Sequence, residues 1–107
     1  MSKIMIITGA SRGIGAATAR RAAERGYAVA VNYRADSAAA NAVVKQIENG
    51  GGRAIAVRAD MAVEADIVRL FETVDRELGR VDVLVNNAGI VDPVSYTHLT
   101  LPTIYSV

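Results

Sequence analysis

Runs of consecutive apolar residues alternate along this chain with longer stretches whose apolar residues recur every three or four positions. The short runs predict strands buried on both faces, and the longer stretches predict amphipathic helices. A first strand is expected over Lys3 to Thr8, then a helix from about Gly13 to Arg25, where Gly26 stops it. Tyr27 to Tyr33 reads as the second strand. Asp36 or Ser37 caps a second helix that runs to about Asn49, and Gly50-Gly51-Gly52 ends it. The third strand covers Arg53 to Arg58. A third helix spans about Glu64 to Leu78 and puts Ile67, Leu70, Phe71, Val74 and Leu78 on one face. Gly79 closes it before a fourth strand over Val81 to Asn86.

Strands and helices in strict alternation make an α/β fold with a parallel sheet and helices on both of its faces. Right-handed crossovers then arrange the strands 3-2-1-4. The order reverses between strands 1 and 4, which opens a crevice at their C-terminal ends. Single domains of this class commonly run to about 200–250 residues. With 107 residues the chain is expected to be a truncated form.

The glycines fall where that crevice opens. Thr8-Gly9-Ala10-Ser11-Arg12-Gly13-Ile14-Gly15 joins the first strand to the first helix. Backbone N–H groups at a helix N-terminus, with the helix dipole behind them, bind an anion. Gly9 permits a tight turn, Gly13 lets backbone approach a pyrophosphate, and Gly15 lets the helix pack close to the sheet. The Gly-Lys-Ser/Thr of a P-loop does not follow. A second cluster, Asn86-Asn87-Ala88-Gly89, lands on the opposite rim of the crevice.

These two motifs, with Asp60 after the third strand, resemble the short-chain dehydrogenase/reductase family over residues 1 to about 92. The likeness is greatest to the glucose 1-dehydrogenase-like and 3-oxoacyl-carrier-protein reductase-like members. It implies the N-terminal half of a doubly wound, Rossmann-type domain that binds a dinucleotide across the crevice. By that resemblance the amides around Ser11 and Ile14 hold the pyrophosphate, while Asp60 and the Met61 amide meet the adenine. Asn86, Ala88 and Gly89 line the adenine ribose side. Asp60 also reads as a plain turn carboxylate, and the two Asn residues as caps for strand-end backbone groups. Cofactor choice sits at Asn32-Tyr33-Arg34, which offers no carboxylate for a free ribose. Arg34 and Arg12 suit the extra phosphate of NADP; Asp36 keeps NAD open, although a helix cap is its other role.

The chemistry for hydride transfer is missing. The family uses a Tyr-x-x-x-Lys pair and a Ser, yet Lys3 and Lys45 are the only lysines and both precede the fourth strand. Tyr96 is followed four positions on by Thr100. No catalytic residue is assigned. There is no cysteine and the one histidine is His98, so neither a metal site nor a Ser–His pair is expected. The net charge of +1 suggests no nucleic-acid partner. No apolar run reaches membrane length, and the first strand follows Met1 too closely for a leader, so a cytoplasmic protein is expected. The family implies an alcohol or carbonyl substrate and a homotetramer for the parent, and neither activity nor tetramer for this stretch alone. The rival readings are a non-catalytic nucleotide-binding module and a non-functional truncated reading frame.

After Asp92 the character changes. Val94-Ser95-Tyr96-Thr97-His98-Leu99-Thr100-Leu101-Pro102-Thr103 shows neither helical nor strand periodicity. It resembles a translated sequencing adapter: GTC-TCT-TAT-ACA-CAT-CTG-ACG-CTG-CCG-ACG encodes it in order. Ile104 to Ser106 would be a sample index and Val107 the codon before an adapter stop. Residues 1–92 are therefore expected to be the native half-domain and 93–107 a non-native tail. The fourth strand is then expected to lie at an open sheet edge and to make the chain aggregate.

Overall fold

The computed structural model describes residues 3–87 and the strand backbone of residues 103–106. The elements are β1 (Ile4–Ile7), α1 (Gly13–Glu24), β2 (Ala28–Tyr33), α2 (Ser37–Asn49), β3 (Arg53–Arg58), α3 (Glu64–Glu77), β4 (Val83–Asn86) and β5 (Thr103–Ser106). The sheet is parallel, in the order β3-β2-β1-β4-β5. The expected 3-2-1-4 arrangement is present, with one strand more.

Period-two side-chain alternation on β1 and β2 divides the core in two. Ile4, Ile6, Ala28, Ala30 and Leu84 face α3, which brings Ile67, Leu70, Phe71, Val74 and the following Leu78. All five of those residues are buried, as the helical spacing predicts. On the other face Met5, Ile7, Val29, Val31, Val83 and Val85 meet α1 and α2. α1 contributes Ala16, Ala19 and Ala22, and α2 contributes Ala40, Val43 and Ile47. The alanines of α1 let that helix lie close to the strands, so its alanine-rich pattern is a packing device.

Two expectations need correction. The fourth strand starts at Val83 rather than Val81, because Asp82 leaves the ladder. Its carboxylate accepts from the Ile4 amide at 2.8 Å while its own amide donates to the Ile4 carbonyl at 2.9 Å. This pair closes the open end of β1. The second correction concerns the edge. β4 is not the last strand: β5 pairs with it in parallel, Val83 opposite Thr103 through Asn86 opposite Ser106. Thr103, Ile104 and Tyr105 have high strand propensity, and a row of unpaired amides and carbonyls along β4 is the template they fill. Residues 87–102 are long enough for the crossover of a dozen or more residues that a parallel pair requires.

The strands are also not equally covered. β1, β2 and β4 are buried nearly throughout, whereas β3 is half-buried and carries exposed Arg53 and Arg58 at its ends. On the α1 side an apolar groove of about 570 Å³ runs along Met5, Ile14, Ala17, Ala22, Tyr27 and Val85.

Leu84 is fully buried at the centre of the α3 face, whereas Val63 before α3 is 43% exposed. Leu84→Ala is expected to cost about 2–5 kcal/mol through lost burial and a residual cavity. Val63→Ala is expected to change stability by no more than about 0.5 kcal/mol. Urea unfolding of both variants checks this; equal losses would contradict the packing described.

Candidate nucleotide site

Three neighbouring strands end in a dry core, and their exits are tied to one another by side chains. β1 runs into Thr8, whose amide donates to the Val85 carbonyl at 3.0 Å. The Thr8 hydroxyl receives the Asn87 amide at 3.0 Å and lies 3.4 Å from Asn86 Oδ1. Asn87 Nδ2 donates to the Gly9 carbonyl at 3.1 Å. The exits of β1 and β4, on either side of the reversal in strand order, are thereby bonded across the crevice.

Asn32 makes the matching connection on the other side. It is 2% exposed. Its Oδ1 accepts from the Gly9 amide at 3.1 Å, and its main-chain carbonyl accepts from the Ala10 amide at 2.8 Å. Its Nδ2 donates toward the Ala59 and Val57 carbonyls at 3.2 and 3.3 Å. One buried amide therefore holds the glycine loop to β2 and the end of β3 to both. Asn32 acts on the site from beneath the loop, while Tyr33 is half-buried and Arg34 is exposed at the exit of β2.

The loop itself fits a close anionic ligand. Gly9 and Gly13 have φ of 60° and 62°, a region that side chains rarely adopt. Gly15 has ordinary φ but no room: a Cβ there would stand 2.5 Å from Asn87 Nδ2 and 2.6 Å from the Gly9 carbonyl oxygen. The tight turn expected at Gly9 and the close packing expected at Gly15 are both present. Arg12 occupies the N-cap position of α1, and among the described residues no side chain caps that helix. Its first-turn amides are left for an external acceptor. Ser11 is half-buried, Arg12 is exposed, and Ile14 is 68% exposed at the same edge. α2 differs, because Asp36 Oδ1 accepts from the Ala39 amide at 3.0 Å. Asp36 is committed as a helix cap.

After β3 the chain turns at Asp60, whose Oδ1 accepts from the Ala62 amide at 2.9 Å. The turn role weighed for this carboxylate is present. Met61 has its side chain in the core, so it can meet a ligand only through its backbone. The turn is held from below by Asp66 on α3. Asp66 Oδ2 accepts from the Asp60 amide at 2.8 Å and from Arg58 at 3.1 Å, and Oδ1 accepts from Arg69 at 2.6 Å. The Asp60 amide, then the two guanidiniums, hold the Asp66 carboxyl below the usual carboxylate range, against the opposing effect of burial. Ala88 and Gly89 lie outside the described residues.

Asn87 caps a strand-end carbonyl as its motif suggests, whereas Arg58 and Asp66 carry no motif signal of their own. Asp66 sits on the polar flank of a helix face and reads as an ordinary first-turn acid. Only the offset between Asp60 and Asp66, which spans the turn and the first turn of α3, hints that one holds the other.

Because the Asp66 pKa is depressed in the folded chain, its contribution is present in full above the unfolded Asp value and is lost as pH falls through the folded one. The wild-type chain is therefore expected to lose stability steeply below about pH 4. Asp66→Asn is expected to be less stable at neutral pH and to show a flatter acid limb. Urea midpoints of both proteins across that range measure it; parallel curves would show that Asp66 is not a stabilising partner.

Comparison with known proteins agrees with this geometry. Residues 3–107 match the family model for short chain dehydrogenase. An uncharacterized oxidoreductase of Methylorubrum extorquens is 48% identical over 90 residues, 84% of this chain and 36% of the relative. A 3-oxoacyl-[acyl-carrier-protein] reductase of Synechocystis is 49% identical over 83% of this chain and 36% of its own length. The crystal structure of a dehydrogenase/reductase from Sinorhizobium meliloti superposes with a TM-score of 0.80 at 46% identity, over 83% of this chain and 36% of that one. The chain spans little more than a third of the length of these relatives. With the strand order, the glycine loop and the Asn-bearing exit of β4 in place, the chain belongs to the short chain dehydrogenase family.

Proposed function

We propose that residues 1–92 are the cofactor-binding half of an NADP-preferring oxidoreductase that interconverts an alcohol and a carbonyl in its complete form. One observation carries the reading: the glycine loop stands before an uncapped helix, with no room for a Cβ at Gly15, beside the reversal in strand order. In this reading the Ser11 and Ile14 amides receive the pyrophosphate between Gly9 and Gly13. Asp60 and the Met61 amide meet the adenine, and Asn86, Ala88 and Gly89 bound its ribose. Relatives named as oxidoreductases and 3-oxoacyl-[acyl-carrier-protein] reductases support the reaction class.

The preference for NADP over NAD rests on charge. No carboxylate stands in β2, Arg12 and Arg34 are exposed at the rim, and Asp36 is spent on its cap. Hydrogen bonds to charged groups contribute roughly 1.5–3 kcal/mol each, enough to decide between the two cofactors. Among the described residues no helix is long and apolar enough to cross a membrane, in keeping with a cytoplasmic enzyme. A homotetramer is proposed for the complete protein only.

The 107-residue chain is expected to bind 2′,5′-ADP yet to oxidise no NADPH with small ketones. The Tyr-x-x-x-Lys acid is missing from its sequence, and general acid catalysis is worth about 10²–10⁴-fold. Calorimetry and absorbance at the nicotinamide band test the two halves of this expectation. Protein-dependent turnover would overturn the reading of an inactive half.

Residues 93–107 are proposed to be non-native. The relatives align over 88 to 90 residues, close to the length before Asp92. The family match through residue 107 and the pairing of β5 argue the other way. They are reconciled if an extended segment of suitable propensity fills the slot beside β4. Resequencing the source locus with a different library chemistry is expected to replace the codons after Asp92 with a continuation that encodes a Ser and a Tyr-x-x-x-Lys. Recovery of the same Tyr96-to-Val107 codons would sink this proposal.

A further inference from the structure

Arg58 is the last residue of β3 and stands opposite Tyr33, the last residue of β2. It therefore lies at the C-terminal edge of the sheet, where open α/β sheets bind their ligands. Its side chain does not follow the strand into solvent. Nε donates to the Arg34 carbonyl at 3.2 Å, and one terminal nitrogen reaches Asp66 Oδ2 at 3.1 Å. The guanidinium is clamped against the turn that carries Arg34. The clamp is stiff, because Asp66 is buried and is itself fixed by the Asp60 amide and Arg69.

Charge and donor capacity are left over. One carboxylate serves two guanidiniums, so the Arg58–Asp66–Arg69 cluster keeps a net positive charge. Arg has five N–H donors, and these contacts occupy two of Arg58's. Its side chain remains 54% exposed. A plain strut between β3 and α3 would need neither the exposed charge nor the bond to Arg34.

We propose that Arg58 is a specificity-determining residue, a further cation that with Arg34 and Arg12 receives the 2′-phosphate of an adenine nucleotide. The inference rests on the nucleotide site proposed above. A guanidinium held in advance by a carboxylate loses less freedom on binding than a free one, and its planar fork matches a phosphate. Asp66 acts through Arg58 as a positioning residue. Through the Asp60 amide the same carboxylate also sets the turn at the adenine side.

The test compares 2′,5′-ADP with 5′-ADP on the full 107-residue chain at low salt, by calorimetry. Arg58→Gln keeps an N–H donor near the Arg34 carbonyl but removes the charge. It is expected to weaken 2′,5′-ADP by roughly ten-fold or more and to leave 5′-ADP within roughly two-fold. Arg58→Lys is expected to keep most of the discrimination. An equal loss for both nucleotides, or no loss for either, makes Arg58 a strut and overturns the proposal. Should Arg58→Gln not fold, the exposed double variant Arg12→Gln/Arg34→Gln decides: it is expected to retain a reduced preference for 2′,5′-ADP, and a complete loss would leave Arg58 no part. A wild-type chain that binds neither nucleotide would remove the underlying reading and this inference with it.

Discussion

Three parallel strands that end side by side in a dry core leave polar backbone groups that water cannot reach, and the rest of this molecule depends on how those groups are satisfied. The solution is a set of short side chains at the exits: Thr8 after β1, Asn32 in β2, and Asn86 with Asn87 at β4. Thr8, Asn32 and Asn87 each bond a backbone group of a neighbouring exit, and Asn86 bonds the Thr8 hydroxyl. A buried amide without a partner costs on the order of 1–3 kcal/mol, so these bonds are obligatory rather than decorative. Their consequence is geometric. The glycine loop is held at Gly9 from both sides, by Asn32 and by Asn87.

That frame explains which parts of the architecture are legible in the sequence. Strand and helix identity follow from local periodicity, and the helix face of α3 is read correctly down to its five apolar residues. The glycine roles are legible because each answers a local demand of φ or space. Asn32, Asp66 and Arg58 are different. Asn32 bonds to Gly9 and Ala59, and Arg58 to Arg34 and Asp66, partners that become neighbours only when the sheet is assembled. A motif search ranks Asn32 as a cofactor contact because it stands at the right strand end. The structure gives it a use that any cofactor contact must share with the loop above. β5 escapes notice for the opposite reason, since four residues are too few to establish a period.

The pairing of β5 also shows how weakly an edge chooses its partner. β4 is a short apolar strand, and its free side offers hydrogen bonds in a fixed direction and spacing. Thr103 to Ser106 meets that demand with backbone groups alone, so backbone pairing there says little about where the segment came from. Burial of a side-chain pattern would specify origin; ladder bonds do not. This is why a family match that runs through residue 107 and an adapter-like reading of the same residues are compatible as physical statements.

Recognition and chemistry separate cleanly in such a fold. The glycine loop, the exits of β1 to β3 and the start of α1 all lie within the first 61 residues. In the proposed reading, the groups that act on a carbonyl come from beyond β4, on the other side of the reversal. Among the described residues the bonds of this frame run between the ends of β1, β2, β3 and β4. In the proposed site, selectivity between phosphorylated and free ribose would belong to this half alone, because Arg34 and the held Arg58 guanidinium both stand at the ends of β2 and β3.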